Sequence, residues 1–192
     1  MKSIVLAGNP NTGKSTVFNM LTNGSAKTGN WHGVTVESLE GLAYINNKKI
    51  KVIDLPGLYS LESYSMEERV STDYIMEKNY DIVINIADAN NLERSLKITL
   101  ELIDKKIKTA LIINMYSELK KTGGNIDIKS LAYSLNIPIF VIDKLNKSTE
   151  IKLKEFVNKI LYSNYAIKPN YDSLDTILNN TYKRYSERAF FR

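Results

Sequence analysis

An α/β fold built on a six-stranded, mostly parallel sheet with one antiparallel strand is predicted by three observations. Short apolar runs alternate with helical patterns along most of the chain. A glycine-bearing loop, Gly8-Asn9-Pro10-Asn11-Thr12-Gly13-Lys14-Ser15, separates the first apolar run from the first helical pattern. A polar Asn46-Asn47-Lys48 segment joins two strand-like runs with no helix between them, which places one hairpin in an otherwise parallel, doubly covered sheet.

Taken in order, residues 3–7 read as a buried strand and residues 8–15 as the loop. Residues 14–21 read as a helix with Val17, Phe18 and Leu21 on one face. Residues 23–33 are polar and contain glycine, so they read as a loop. Residues 34–45 and 49–53 form the hairpin strands, and residues 54–65 a loop carrying Pro-Gly. Residues 66–78 read as a helix, 81–87 as a strand, and 92–105 as a helix with Leu96, Leu100 and Ile103 on one face. Strand 110–114, helix 128–135, strand 138–142 and helix 151–161 follow. Lys168-Pro169-Asn170 reads as a linker before a short helical segment, 171–192, with Leu174, Ile177, Leu178 and Tyr182 at helical spacing. The organisation is one domain, 1–165, and a short extension, 171–192.

Composition agrees with one domain and an appendage: 192 residues, 43% hydrophobic and 24% charged. The absence of cysteine excludes a disulfide scaffold, a thiolate metal centre and a cysteine nucleophile. One histidine, His32, excludes multi-histidine metal sites and argues against a catalytic triad. The net charge of +5 comes from scattered lysines, which read as a solvated face and not as a nucleic-acid surface. The first apolar run is too short for a signal peptide, and no stretch approaches about 18 apolar residues, so this segment is not expected to cross a membrane.

The loop at Gly8–Ser15 fits G-x-x-x-x-G-K-[ST] and sits between a strand and a helix, the context that motif requires. Its glycines let the backbone curl so that successive N–H groups face phosphate oxygens, and the helix N-terminus adds partial positive charge. Lys14 is expected to reach the β- and γ-phosphates and Ser15 to ligate magnesium. Thr16 continues the helix from this loop. Asp54-Leu55-Pro56-Gly57 ends a strand and matches D-x-x-G. A carboxylate there can hold magnesium through water, and the Gly57 N–H can sense a γ-phosphate. Thr35, in the intervening segment after Gly33-Val34, can offer a hydroxyl to magnesium.

With these motifs in place, the chain resembles the N-terminal GTPase domain of ferrous iron transport protein B, a P-loop NTPase of the G-domain type. The resemblance rests on residues 8–16 (GNPNTGKST), 29–37 (GNWHGVTVE), 54–61 (DLPGLYSL) and 87–96 (ADANNLERSL), and runs over about residues 1–162. It implies a cytosolic domain that binds GTP or GDP with magnesium, hydrolyses GTP slowly and regulates ferrous iron transport. It also implies, in the same full-length protein, a helical domain that stabilises the GDP state and then a membrane transporter domain. The implied partners are guanine nucleotide and that transporter domain, at the cytoplasmic face of the membrane, with no nucleic acid; a homo-oligomer is compatible with it. The extension 171–192 then reads as a reduced or truncated helical domain.

The resemblance further implies that Asn11 binds a potassium ion with backbone carbonyls of Gly29 and Trp31, supplying charge beside the β–γ bridge where other enzymes use an arginine. Asn11, Lys14, Thr35 and Gly57 are the implied catalytic set. Leu58 stands where many small GTPases carry a water-positioning glutamine, so intrinsic hydrolysis is expected to be slow. Three departures stand out. His32 replaces the family's usual proline and reads as an exposed loop residue. The guanine motif N-x-x-D reads Asn114-Met115-Tyr116-Ser117, without the aspartate. The last base-proximal motif, usually near Ser-Ala, reads Asp143-Lys144-Leu145. Ser117 in place of the aspartate predicts weak guanine-nucleotide binding and a reduced preference for GTP over ATP, with Asn114 still holding the base edge. Two rival readings are a free-standing GTPase of ribosome assembly or tRNA modification, and a nucleotide-sensing module that hardly hydrolyses.

Overall fold

A computed structural model describes residues 1–31, 37–62, 65–163, 165 and 176–177. The strands are β1 (Lys2–Gly8), β2 (Ala26–Asn30), β3 (Glu37–Ile45), β4 (Lys48–Asp54), β5 (Ile82–Asp88), β6 (Thr109–Asn114) and β7 (Ile139–Val141). The helices are α1 (Lys14–Thr22), α2 (Met66–Glu77), α3 (Leu92–Asp104), α4 (Tyr116–Lys121), α5 (Ile128–Leu135) and α6 (Lys147–Tyr162). The strands form one sheet in the order β2-β3-β4-β1-β5-β6-β7. β1 pairs in parallel with both β4 and β5, so the strand that feeds the glycine loop is central. β3 is antiparallel to both neighbours and is therefore the single reversed strand.

Alternation along the parallel strands builds two faces. On β1, Ile4 and Leu6 pack with Val17, Phe18 and Leu21 of α1 and with Leu153 and Val157 of α6. Val5 and Ala7 face the other way, toward Ile75 of α2 and Ile98 and Leu102 of α3. Burial on both faces explains why β1, β5 and β6 read as continuous apolar runs. The buried Asn85 in β5 donates its side-chain amide to the Ser95 carbonyl (2.9 Å) and the Thr99 hydroxyl (2.8 Å), tying α3 to the sheet.

Seven strands stand where six were expected. The additional strand, β2, lies in the segment read as a loop, and all five of its residues are exposed. A polar edge strand has no buried face, so it leaves no alternation to read. The β3–β4 hairpin closes on Asn46 and Asn47, both left-handed (φ 50° and 59°), with Ile45 paired to Lys48. Two-residue turns of this hand match strand twist, and asparagine tolerates them. α4 was not anticipated: it is one and a half turns long and buries only Tyr116. α6 begins at Lys147, four residues before its expected start, because the Asn146 side chain accepts the Thr149 N–H (2.9 Å) and caps it. Of the predicted extension, only Thr176 and Ile177 are described; they are helical, and Ile177 is buried with α3 and α5 side chains. The rest of 171–192 lies outside the described residues.

The start of β1 is held by Asp81, which accepts the Ser3 N–H (2.8 Å) and the Lys2 ammonium. Burial would raise the Asp81 carboxyl, but Lys2, the Ser3 N–H and Lys108 outweigh it and hold it below its ordinary value of 3.8. The folded state thus prefers the ionised form. Its contribution is complete above the unfolded pKa and is lost as pH falls through the lower folded value. Asp81→Asn is expected to be less stable than the parent at neutral pH, with the gap closing below pH about 4. Thermal melts across that range check this; a gap of constant size at all pH values would contradict it.

Candidate nucleotide-binding site

The site begins where β1 runs out of sheet. After Gly8 the chain turns through residues 9–13, and the Thr12 hydroxyl donates to the Asn9 carbonyl (2.9 Å), closing the loop on itself. Asn9 is buried, and its Oδ1 has no hydrogen-bond partner among the described residues. Asn11 is exposed at the tip in a left-handed conformation (φ 66°). Gly13 is the N-cap of α1, also left-handed (φ 82°), and supplies no side-chain cap. The first-turn N–H groups of Lys14, Ser15 and Thr16 therefore face outward without a side-chain acceptor, the arrangement that receives phosphate.

The D-x-x-G segment lies against this loop. Leu55 N–H donates to the Leu6 carbonyl (3.1 Å) and Leu58 N–H to the Gly8 carbonyl (3.2 Å). A Cβ on Gly57 would lie 2.8 Å from the Pro10 Cγ, so only glycine lets the two segments approach. The Lys14 ammonium contacts Asp54 Oδ1 at 2.6 Å, with side chains 13% and 6% exposed, and Ser15 also hydrogen-bonds Asp54. Burial dominates at Asp54 and holds its carboxyl above the ordinary range even though Lys14 and Ser15 pull the other way. The Pro56 carbonyl accepts the Ser71 hydroxyl (2.9 Å), joining the segment to α2. Leu55 and Leu58 are buried in the core. The Leu58 side chain therefore contributes packing and none of the hydrogen bonds that would orient water.

Two carboxylates that the sequence did not flag hold the residues after Gly57. Glu68 of α2 accepts the Tyr59 N–H (3.1 Å) while completing a capping box with Ser65. Glu101 of α3 accepts the Ser60 hydroxyl (2.6 Å) and the Leu61 N–H. The Ser65-x-x-Glu68 spacing was a readable signal for the first; nothing local marks the second, because its partners are 40 residues away.

The base side is assembled from the ends of β6 and β7. Asn114 is buried, and its side-chain amide donates to the Thr12 carbonyl (2.9 Å), bridging the loop and β6. Met115 is left-handed (φ 59°) and turns the chain into α4. Ser117 stands in the first turn of α4, half-buried. Tyr116 N–H donates to the Ile142 carbonyl (3.3 Å), which brings Asp143, Lys144 and Leu145 alongside. Asp143 pairs with Lys120 (3.1 Å), the Lys144 carbonyl accepts the Thr149 hydroxyl (2.7 Å), and Leu145 is exposed.

The structure therefore brings together the glycine loop, the D-x-x-G segment and the two base-side segments. Gly29 lies on β2, and Trp31 follows it. The Trp31 ring packs edge-on against Tyr74 of α2, with centroids 4.9 Å apart. His32, Gly33, Val34 and Thr35 lie outside the described residues. Among the described residues no cluster of three or more His, Asp or Glu side chains could hold a metal ion. Ser15 and Asp54, which are adjacent, offer the hard oxygen donors that a magnesium ion takes.

The fold, the glycine loop and the D-x-x-G segment agree with one family, and a family model described as ferrous iron transport protein B matches residues 2–160. The chain belongs to the ferrous iron transport protein B family. The Fe(2+) transporter FeoB of Helicobacter pylori (strain J99) is 38% identical over 169 residues, covering 85% of this chain and 26% of that protein. The Leptospira biflexa FeoB is 38% identical over 159 residues, covering 82% and 23%. The chain thus spans about a quarter of the length of these relatives. Among solved structures, the cytosolic domain of T. maritima FeoB in its GMPPNP form is 37% identical with TM-score 0.81, covering 88% of this chain and 67% of that one. Its GDP form I is 37% identical with TM-score 0.80, covering 87% and 66%. The cytosolic domain of L. pneumophila FeoB is 31% identical with TM-score 0.79, covering 99% and 76%. The fold is the P-loop GTPase fold of these FeoB domains. No helix among the described residues is long and apolar enough to cross a membrane.

Proposed function

We propose that residues 1–165 form a guanine-nucleotide-binding domain that hydrolyses GTP slowly and, by its nucleotide state, regulates ferrous iron passage through a membrane transporter domain of a longer protein. In this reading it works at the cytoplasmic face of that membrane, and the extension 171–192 is a reduced or truncated form of the family's helical domain. The observation that carries the reading is the Lys14–Asp54 contact at 2.6 Å, which joins the phosphate-binding lysine to the D-x-x-G carboxylate. A lysine so placed exchanges a carboxylate for phosphate oxygens when nucleotide binds. With Lys14 so engaged, Asp54, Ser15 and Thr35 would hold a magnesium ion, Asp54 through water and the other two by their hydroxyls; the ion would supply positive charge beside the phosphates.

Hydrolysis in this arrangement depends on positioning and charge. In this reading the α1 first-turn N–H groups and Lys14 hold the phosphates, and the Gly57 N–H senses a γ-phosphate oxygen. A monovalent cation held by Asn11 and the Gly29 and Trp31 carbonyls would neutralise charge developing at the β–γ bridge. Buried Leu58 leaves water placement to backbone groups, which supports a slow intrinsic rate. The same leucine favours a second reading, a sensing module that binds nucleotide and hardly hydrolyses it.

Single-turnover GTP hydrolysis in potassium and in sodium separates the two. The expected result is faster hydrolysis in potassium, by about tenfold or more, with the difference lost in Asn11→Ala. Equal rates in both salts would remove the cation from the reading, and undetectable turnover in either would favour the sensing module.

A further inference from the structure

We propose that Asp143 reads the guanine base in this chain, supplying the carboxylate that the Asn114–Ser117 turn lacks. The inference rests on the guanine-nucleotide reading above. It is carried by three observations on the base side of the site. First, the two segments leave the sheet side by side: Ile142 N–H donates to the Ile113 carbonyl (2.8 Å), and Tyr116 N–H donates to the Ile142 carbonyl (3.3 Å). Asp143 is the next residue on one strand of that junction, and Asn114 the next on the other.

Second, the direction of the Asp143 side chain is marked by its partner. Lys120 follows Ser117 by three residues on α4, so the two project from the same side of that helix. The Lys120 ammonium meets Asp143 Oδ2 at 3.1 Å. That ammonium also lies over the Tyr116 ring, 5.0 Å from its centroid, so the carboxylate is drawn to the Tyr116–Lys120 side of α4, one residue from Ser117. Third, the other oxygen, Oδ1, is itself buried and has no hydrogen-bond partner among the described residues, although the side chain as a whole is 43% exposed. A carboxylate oxygen without a partner gains from a donor brought to it.

Guanine supplies such donors. Its ring N1–H and exocyclic amino group point from one edge, and a carboxylate has about four lone-pair positions, enough for both while Lys120 is kept. Adenine presents a lone pair at N1, which faces a carboxylate repulsively. Ser117 has a neutral hydroxyl and discriminates weakly. Asp143 thus restores the preference that Ser117 alone predicts to be reduced.

Calorimetric titration with GDP and with ADP, in magnesium, tests this on the parent, on Asp143→Ser, and on Ser117→Asp/Asp143→Ser, which moves the carboxylate to α4. The parent is expected to prefer GDP. Asp143→Ser should bind GDP about 10- to 100-fold more weakly while ADP affinity changes little. The double variant should regain GDP preference, which also shows that loss in the single variant is not misfolding. A GDP-to-ADP ratio unchanged in Asp143→Ser overturns the assignment, as does a parent that binds both nucleotides equally. A parent that binds neither overturns the nucleotide reading itself.

Discussion

Gly13→Ala should impair both folding stability and nucleotide binding. A Cβ at this position would sit 2.2 Å from Nδ2 of Asn114, and the backbone there is left-handed (φ 82°). Relief by moving Asn114 breaks its 2.9 Å bond to the Thr12 carbonyl, the bridge between the loop and β6. Backbone strain of about 1–2 kcal/mol and a lost buried hydrogen bond of about 1–2 kcal/mol combine to about 2–4 kcal/mol. For a chain of this size that is a fall in Tm of about 4–16 °C. Displacing the N-cap also turns the first N–H groups of α1 away from the phosphates, so GDP affinity should fall by about 100-fold or more. Thermal denaturation and calorimetry measure the two effects. Asn114→Ala in the Gly13→Ala background should recover part of the Tm, because it removes the atom that the Cβ meets. A Tm within about 2 °C of the parent for Gly13→Ala would contradict the steric account.

The second large effect is expected at Lys14. Lys14→Ala removes the ammonium that would neutralise the β- and γ-phosphates, and hydrolysis should fall on the order of 100- to 1,000-fold. The same change strips Asp54 of its cation in a position where the side chain is 6% exposed. Ser15 still donates to Asp54, but a buried carboxylate that loses its cation costs about 1–3 kcal/mol. Asp54→Asn in the Lys14→Ala background should therefore restore stability and leave hydrolysis lost. Urea unfolding together with single-turnover assays separates the two consequences. If the double variant is no more stable than Lys14→Ala, the pair is not what holds Asp54 in place.

The glycine loop and the D-x-x-G segment were legible because their patterns are local. Gly8 through Ser15 need only one turn between a strand and a helix, and Asp54 through Gly57 end the neighbouring strand of the sheet. The links that complete the site were not legible. Asn114 reaches Thr12 across 102 positions, and Glu101 holds Ser60 and Leu61 across about 40. No local pattern encodes a carboxylate whose partners are that far away in the chain. β2 was missed for the opposite reason: its pairing to β3 is all backbone, and its exposed side chains carry no period.

By itself the sequence determined the class of fold, the glycine loop between the first strand and helix, and the D-x-x-G aspartate. Buried parallel strands must be apolar throughout, and a phosphate-binding turn must carry glycine and lysine at set positions. Only the tertiary structure decided the seventh strand, the hold of Glu68 and Glu101 on the segment after Gly57, and the direction of Asp143. In sequence, Asp143 opens a barely recognisable base-proximal motif, far along the chain from the Asn114–Ser117 turn that lacks its aspartate. In the fold, the hydrogen bonds between residues 113, 116 and 142 set it beside Asn114, and Lys120 turns one of its oxygens over α4. The physical reason is that a period encodes which face of an element is buried, whereas a side chain's direction toward a ligand depends on which distant segment packs beside it.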